Sequence, residues 1–342
     1  MEINPAERAA SKVSSPRRGV GSKRRRELML VWVFLLPSLA VFFLYRILPL
    51  LWNLVLSFEK FSLFGTSKWN GIEHYRDMIE DEVFWTALWN TLIYIASAPL
   101  GIVLALVVSL MVNTEVRGRN LYRTVVFLSY PLMTVAVGII WRWMYDEKVG
   151  LFNFVLRSLG IIDKPLPFLQ SFEWALPSVL LANVWQILGF YMIILLAGLQ
   201  SIPQNLYEAA AIDGASKRQQ FFRITLPMLR PSIFLAFVIG IMTSFTSFDL
   251  VYVMTQGGPS HSSELLVTYI YKVAFELSKI DYAAALTVVQ FALLVVLTWV
   301  GNRLSGGDAG ARETGGWRGT FIKNAPVFDV RRTGPCTSRC LR

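Results

Sequence analysis

The chain has 342 residues, 54% of them hydrophobic and only 16% charged, with a mean hydropathy of +0.48; soluble domains carry about 25% charged residues, so water is not its main solvent. The net charge of +10 and pI near 9.7 could suit a nucleic-acid binder, but the basic residues lie in separate segments without aromatic interleaving, which excludes a nucleic-acid track. Cys336 and Cys340 sit together near the end, so no disulfide or metal framework is implied.

Residues 1–27 form a basic tail ending in Lys23, Arg24, Arg25 and Arg26. Apolar runs long enough to cross a hydrocarbon core, about 20 residues as a helix, then follow at 28–48, 91–112, 124–144, 175–197, 232–254 and 282–300. The pattern predicts an all-α polytopic membrane protein with six transmembrane helices. Pro37, Pro99, Pro131 and Pro177 fall inside these runs and read as kinks, because neighbouring helices can re-satisfy the freed backbone groups. The first run is too long for a signal-peptide core and has no small-x-small cleavage site, so it reads as an uncleaved span.

Orientation follows from where Lys and Arg lie. The tail, the segments around Arg117 to Arg123 and Lys217 to Arg230, and the stretch after Arg303 are basic. Glu73, Asp77, Glu80, Asp81, Glu82, Asp146, Glu147, Asp163 and Glu173 occupy the alternate loops. Both termini are therefore expected in the cytoplasm of a cell inner membrane. Residues 304–342, rich in Gly and Arg without apolar periodicity, read as a disordered cytoplasmic tail.

No seat for catalysis is visible. The two histidines, His74 and His261, lie in loops, and there is no H-E-x-x-H, G-x-S-x-G or G-x-x-x-x-G-K-[ST]. Neither catalytic nor metal residues are assigned, and the chain is expected to be a non-enzyme that cannot hydrolyse ATP alone. An ion-coupled secondary carrier is the alternative reading, but carriers place ionisable groups deep in their spans. Here Arg46, Arg142 and Asp249 all sit near span ends, where snorkelling explains them.

The loop between the fourth and fifth runs, 201–231, is too long for a connector. Pro203 suits a first helical turn, 206–213 is rich in helix formers, and Gly214 stands where a left-handed cap is needed. Ser216 and Gln219 read as a capping box opening a second helix, which Pro227 and Pro231 stop. Ala209, Ala210 and Ala211 leave the first helix with little side-chain bulk, so another protein can approach it closely.

Glu208-Ala209-Ala210, three residues, Gly214, nine residues, then Ile224-x-Leu226-Pro227 resembles the cytoplasmic signature of bacterial ABC-importer permeases. The run 183–190 (NVWQILGF), the run 248–259 (FDLVYVMTQGGP), Tyr269, Tyr271, Ala274 and Phe275 resemble the sugar-importer branch of maltose and glycerol-phosphate type, in particular its first permease subunit. The likeness covers about residues 28–303 and implies the type I permease fold. It implies that Glu208, Ala209, Ala210, Asp213, Gly214, Ile224, Leu226 and Pro227 form an ATPase-coupling loop. It implies as partners a second permease subunit, two ATP-binding subunits, an external solute-binding protein and membrane lipid, with ATP used by the partners and no cofactor in this chain. The cargo implied is a sugar, a polyol or a glycerol phosphate derivative. Asn183 and Gln186 in the fourth run, and Thr243, Ser244 and Ser247 in the fifth, are the candidate pathway residues, with cross-helix hydrogen bonding the competing role for each.

Overall fold

Inside a bilayer every backbone N–H and C=O needs an internal partner, which a helix supplies from its own chain. The computed structural model describes residues 20–60, 68–113 and 118–304, and they are helical apart from short loops and one antiparallel pairing of Glu59–Lys60 with Lys68–Trp69. The expected 304–342 tail lies, beyond Leu304, outside the described residues.

Among the described residues, four helices are long and apolar enough to cross a membrane: Met29–Leu56, Glu82–Asn113, Ala175–Gln200 and Ile280–Gly301. The shortest has 22 residues, about 33 Å at 1.5 Å per residue, against a hydrocarbon core of about 30 Å. The second span begins earlier than its apolar run because Asp81 caps it. The Asp81 Oδ1 accepts from the Val83 and Phe84 amides at 2.9 and 3.3 Å.

The third and fifth runs are broken where continuous helices were expected. Arg119–Phe127 and Thr134–Met144 are separate helices, and Pro131 lies in the turn between them instead of kinking a continuous span. Proline removes an N–H and disfavours helix at the residue before it. The fourth span repairs the break: Gln186 Nε2 donates to Leu132 O and Thr134 Oγ1, both at 3.3 Å, and Ser129 Oγ donates to Gln186 O, also at 3.3 Å. Gly189 makes this contact possible, since a Cβ there would lie 2.5 Å from Val126 O.

The fifth run divides into Arg230–Phe245 and Asp249–Met254. Before it, Lys217–Met228 and Arg230–Phe245 meet at a bend of 59°. The loop helix ends at Met228, one residue after Pro227, as expected, and Pro231 sits in the first turn of Arg230–Phe245, where its missing N–H costs nothing.

Packing follows the apolar faces. Ile102, Ala105, Ile187, Tyr191, Met192, Leu195 and Ala236 join the second, fourth and fifth spans. Leu199, Ile202 and Leu229 close one end of the bundle beneath the 201–229 loop. At the far end, Phe84, Ala87, Leu266, Tyr269, Val273 and Leu286 tie the second span to Leu266–Tyr271 and the sixth span. The first span differs, with no residue from Met29 to Leu56 buried; its Asn53 Nδ2 reaches Ala284 O of the sixth at 3.4 Å.

Asp81 also ties this far end together, because its Oδ2 accepts from the hydroxyls of Tyr269 at 2.5 Å and Tyr282 at 2.7 Å. Burial pushes its pKa up, but the two hydroxyls with the Phe84 and Val83 amides outweigh that and leave it below the ordinary carboxylate value. A lowered folded pKa stabilises the protein above the unfolded value and stops doing so as pH falls through the folded one. The Asp81 contribution is therefore complete at neutral pH and is lost as pH falls below the ordinary carboxylate value. Asp81→Ala should cost about 2 kcal/mol, the scale of hydrogen bonds to a charged group, read as a lower melting temperature of the detergent-purified protein at pH 7. A wild-type melting temperature would contradict this role.

Candidate functional site

The 201–229 loop is a rigid helix pair. Gln204–Ile212 ends on a Schellman turn: Ala215 N–H donates to Ala210 O at 2.9 Å and Gly214 N–H to Ala211 O at 3.1 Å. Gly214 takes φ +78°, the left-handed conformation that glycine enters without penalty. Ser216 then caps Lys217–Gln220: its N–H donates to Gln219 Oε1 at 2.7 Å, and its Oγ accepts from the Gln219 amide at 3.4 Å. Gln220 Nε2 donates to Ala215 O at 3.2 Å, and the Tyr207 and Thr225 hydroxyls pair at 2.9 Å.

These contacts divide the loop residues into two sets. Ile224 packs on Leu199, Ile202 and Leu229, while Leu226 and Pro227 are half-buried, so this set is a platform. Glu208, Ala209, Asp213 and Gly214 are exposed and Ala210 is half-exposed. Ile212 is 87% exposed at the helix tip. A fixed surface of small side chains with one protruding apolar residue and two carboxylates is suited to close docking by a protein.

The polar residues of the fourth and fifth runs also separate. Asn183, Gln186, Thr243 and Ser247 line one cavity of about 460 Å³, together with Tyr130, Thr134, Ile187, Thr246, Phe248 and Asp249. Ser244 does not line it. It is buried and pairs with Ser97 Oγ at 3.1 Å, and the same Ser97 Oγ accepts from Asn183 Nδ2 at 3.1 Å. Ser247 Oγ donates to Tyr94 Oη at 3.3 Å, and Thr243 Oγ1 to Ile239 O and Gly240 O at 3.0 and 3.1 Å. Ser97, Tyr130 and Thr134 escaped the sequence reading because one hydroxyl in an apolar run carries no periodic signal. Among the described residues no group of three or more His, Cys, Asp or Glu side chains could hold a metal ion.

At the far end, Glu264 is fully buried, with Lys272 Nζ 2.6 Å and His261 Nδ1 3.0 Å from its Oε2. Asn90 Nδ2 of the second span donates to His261 O at 3.0 Å and Glu264 O at 3.1 Å, and the Leu266 amide donates to Thr91 Oγ1 at 2.9 Å. Lys272 Nζ also donates to Gln256 O at 2.8 Å. The 255–265 loop is thus stapled to the second span.

Residues 97–305 match the model of the family described as binding-protein-dependent transport system inner membrane component. A probable ABC transporter permease of Brucella suis is 34% identical over 282 residues, 81% of this chain and 96% of that protein. The trehalose/maltose transport system permease protein of Thermococcus litoralis is 31% identical over 277 residues, 80% of this chain and 93% of its own length. A chain of a bacterial alginate ABC transporter, solved in complex with an alginate pentasaccharide-bound periplasmic protein, superposes with a TM-score of 0.73 at 26% identity, covering 83% of this chain and 96% of that chain.

Proposed function

Because the chain belongs to the binding-protein-dependent transport system inner membrane component family, we propose that it forms half of the translocation pathway of a sugar importer and receives the ATP-driven stroke through the 201–231 loop. The protein is an ABC-importer permease with a multi-pass helical membrane fold. The second permease, the two ATP-binding subunits and the external binding protein are its proposed partners, and the ATPase site is assigned to the partners.

The observation that carries the coupling assignment is the exposed, low-bulk face of Gln204–Ile212, held by the Schellman turn and the capping box on a half-buried platform. A rigid element fixed between two spans can transmit a displacement, whereas a flexible one would absorb it. The cavity beside Asn183 and Gln186 offers amides and hydroxyls suited to a polyhydroxylated cargo. Relatives named for trehalose/maltose and alginate transport agree with that class. A first span lying along its length against lipid or a second permease accounts for its burying none of its residues within this chain.

The basic-residue bias orients the loop to the cytoplasm together with both termini. Single cysteines placed at Ala209 and Asp213 should react with a membrane-impermeant maleimide only in inverted vesicles, and those at Asp77 and Glu80 only in intact cells. The reverse pattern at either place would overturn the orientation. Purification through a tag on this chain should recover a nucleotide-binding subunit and a second permease; recovery of this chain alone would overturn the coupling assignment.

A further inference from the structure

Phe248 and Tyr252 stand one helical turn apart beside the cavity, Tyr271 and Phe275 stand one turn apart on the segment before the sixth span, and the two pairs face each other. Phe248 stacks on Tyr252 at 5.0 Å and 19°, Phe248 and Tyr252 meet Tyr271 at 5.0 and 5.2 Å, and Tyr271 meets Phe275 at 5.1 Å. The inner end, Phe248, lines the 460 Å³ cavity, and the outer end, Phe275, is 74% exposed. None of the four rings is buried. They are not core residues, because the opposite faces of their helices supply the core, through Leu250, Val251 and Met254 and through Val273. Lys272, beside Tyr271, is anchored by Glu264, so the outer pair is held in place.

We propose that this ladder is an entry track for carbohydrate rings, carrying cargo from the far mouth of the bundle to the polar cavity; the proposal rests on the importer reading above. An aromatic face is flat, apolar and electron-rich. It suits the face of a pyranose that presents C–H groups, while the hydroxyls around the sugar's edge stay hydrated. Phe275, Tyr271 and the stacked Phe248–Tyr252 pair give three steps about 5 Å apart, which hold a ring loosely and favour no single sugar. Selection then falls to Asn183 and Gln186 at the inner end, where hydrogen bonds fix orientation.

The test uses the complete importer, with both permeases, the ATP-binding subunits and the binding protein, in vesicles containing ATP. Labelled trehalose and maltose serve as ring-bearing probes, and uptake is expressed per ATP hydrolysed. Phe275→Leu and Tyr271→Leu keep apolar volume but lose the flat face. Each should lower sugar imported per ATP about fivefold, the scale of one aromatic contact of about 1 kcal/mol. Phe275→Trp should retain wild-type uptake. Wild-type uptake per ATP in both leucine variants, with the wild-type assembly importing sugar, overturns the track alone. Loss of the second permease from the purified Phe275→Leu assembly also overturns it and makes the ladder a subunit interface. A wild-type assembly that hydrolyses ATP when the binding protein is added but imports neither probe overturns the carbohydrate reading and the track with it.

Discussion

Gly214→Val should lower uptake about tenfold while leaving normal amounts of permease in the membrane. The cause is conformational, because a Cβ at this position meets nothing within 4 Å, so valine loses no space. It must instead hold φ at +78°, which costs a non-glycine residue about 1–2 kcal/mol and a β-branched one more. That is too little to unfold a bundle of apolar spans. It is enough to displace the Schellman turn and shift a two-state docking equilibrium by about tenfold. The tip with Ile212 would move relative to the platform of Leu199, Ile202 and Leu229. Glu208→Lys, which reverses a charge on the exposed face, should act in the same direction and more weakly. Retention of the ATP-binding subunit and binding-protein-stimulated ATP hydrolysis should fall with uptake; wild-type values for all three in Gly214→Val would remove this loop from the coupling role.

Glu264→Ala should strongly destabilise the far end. Removing one partner of a buried ion pair leaves the other charge uncompensated, at a cost of about 3–5 kcal/mol. Lys272 would keep only Gln256 O at 2.8 Å. The loop that Asn90 and Thr91 staple to the second span would lose its central anchor, while the 201–229 loop at the other end would be unaffected. The expected readout is a lower melting temperature and lower yield after detergent extraction. Glu264→Leu combined with Lys272→Leu should recover part of the loss, because apolar side chains leave no orphan charge. A Glu264→Ala protein as stable as wild type would show that the ion pair contributes nothing.

Apolar length made the unbroken spans legible, since only a helix can carry such runs through lipid. The loop was legible to the residue because Gly214, Ser216 and Gln219 act locally: a left-handed turn and a capping box are decided within a few positions. The break at Pro131 was not, because its repair depends on Gln186 of the fourth span, 54 residues on from the Leu132 carbonyl it donates to. Nor was the extension of the second span to Glu82, where polar residues interrupt the apolar run and the helix is held by the Asp81 cap and the far-end core. Asn183, Gln186, Thr243 and Ser247 were singled out as mid-span polar residues, and the fold gathers them in one cavity. Ser244 carries the same signal and is buried against Ser97 instead. Spacing places a hydroxyl on a helix face, but the neighbouring helix decides whether that face meets a cavity or another side chain.

The coupling role of the 201–231 loop depends most on ATP as the source of work. This chain, its second permease and the ATP-binding subunits should be reconstituted in vesicles with the binding protein on the outside, and uptake of labelled sugar measured with and without internal ATP and with and without a protonophore. Uptake should require ATP and survive the protonophore; uptake that proceeds without ATP and collapses with the ion gradient would contradict the importer assignment.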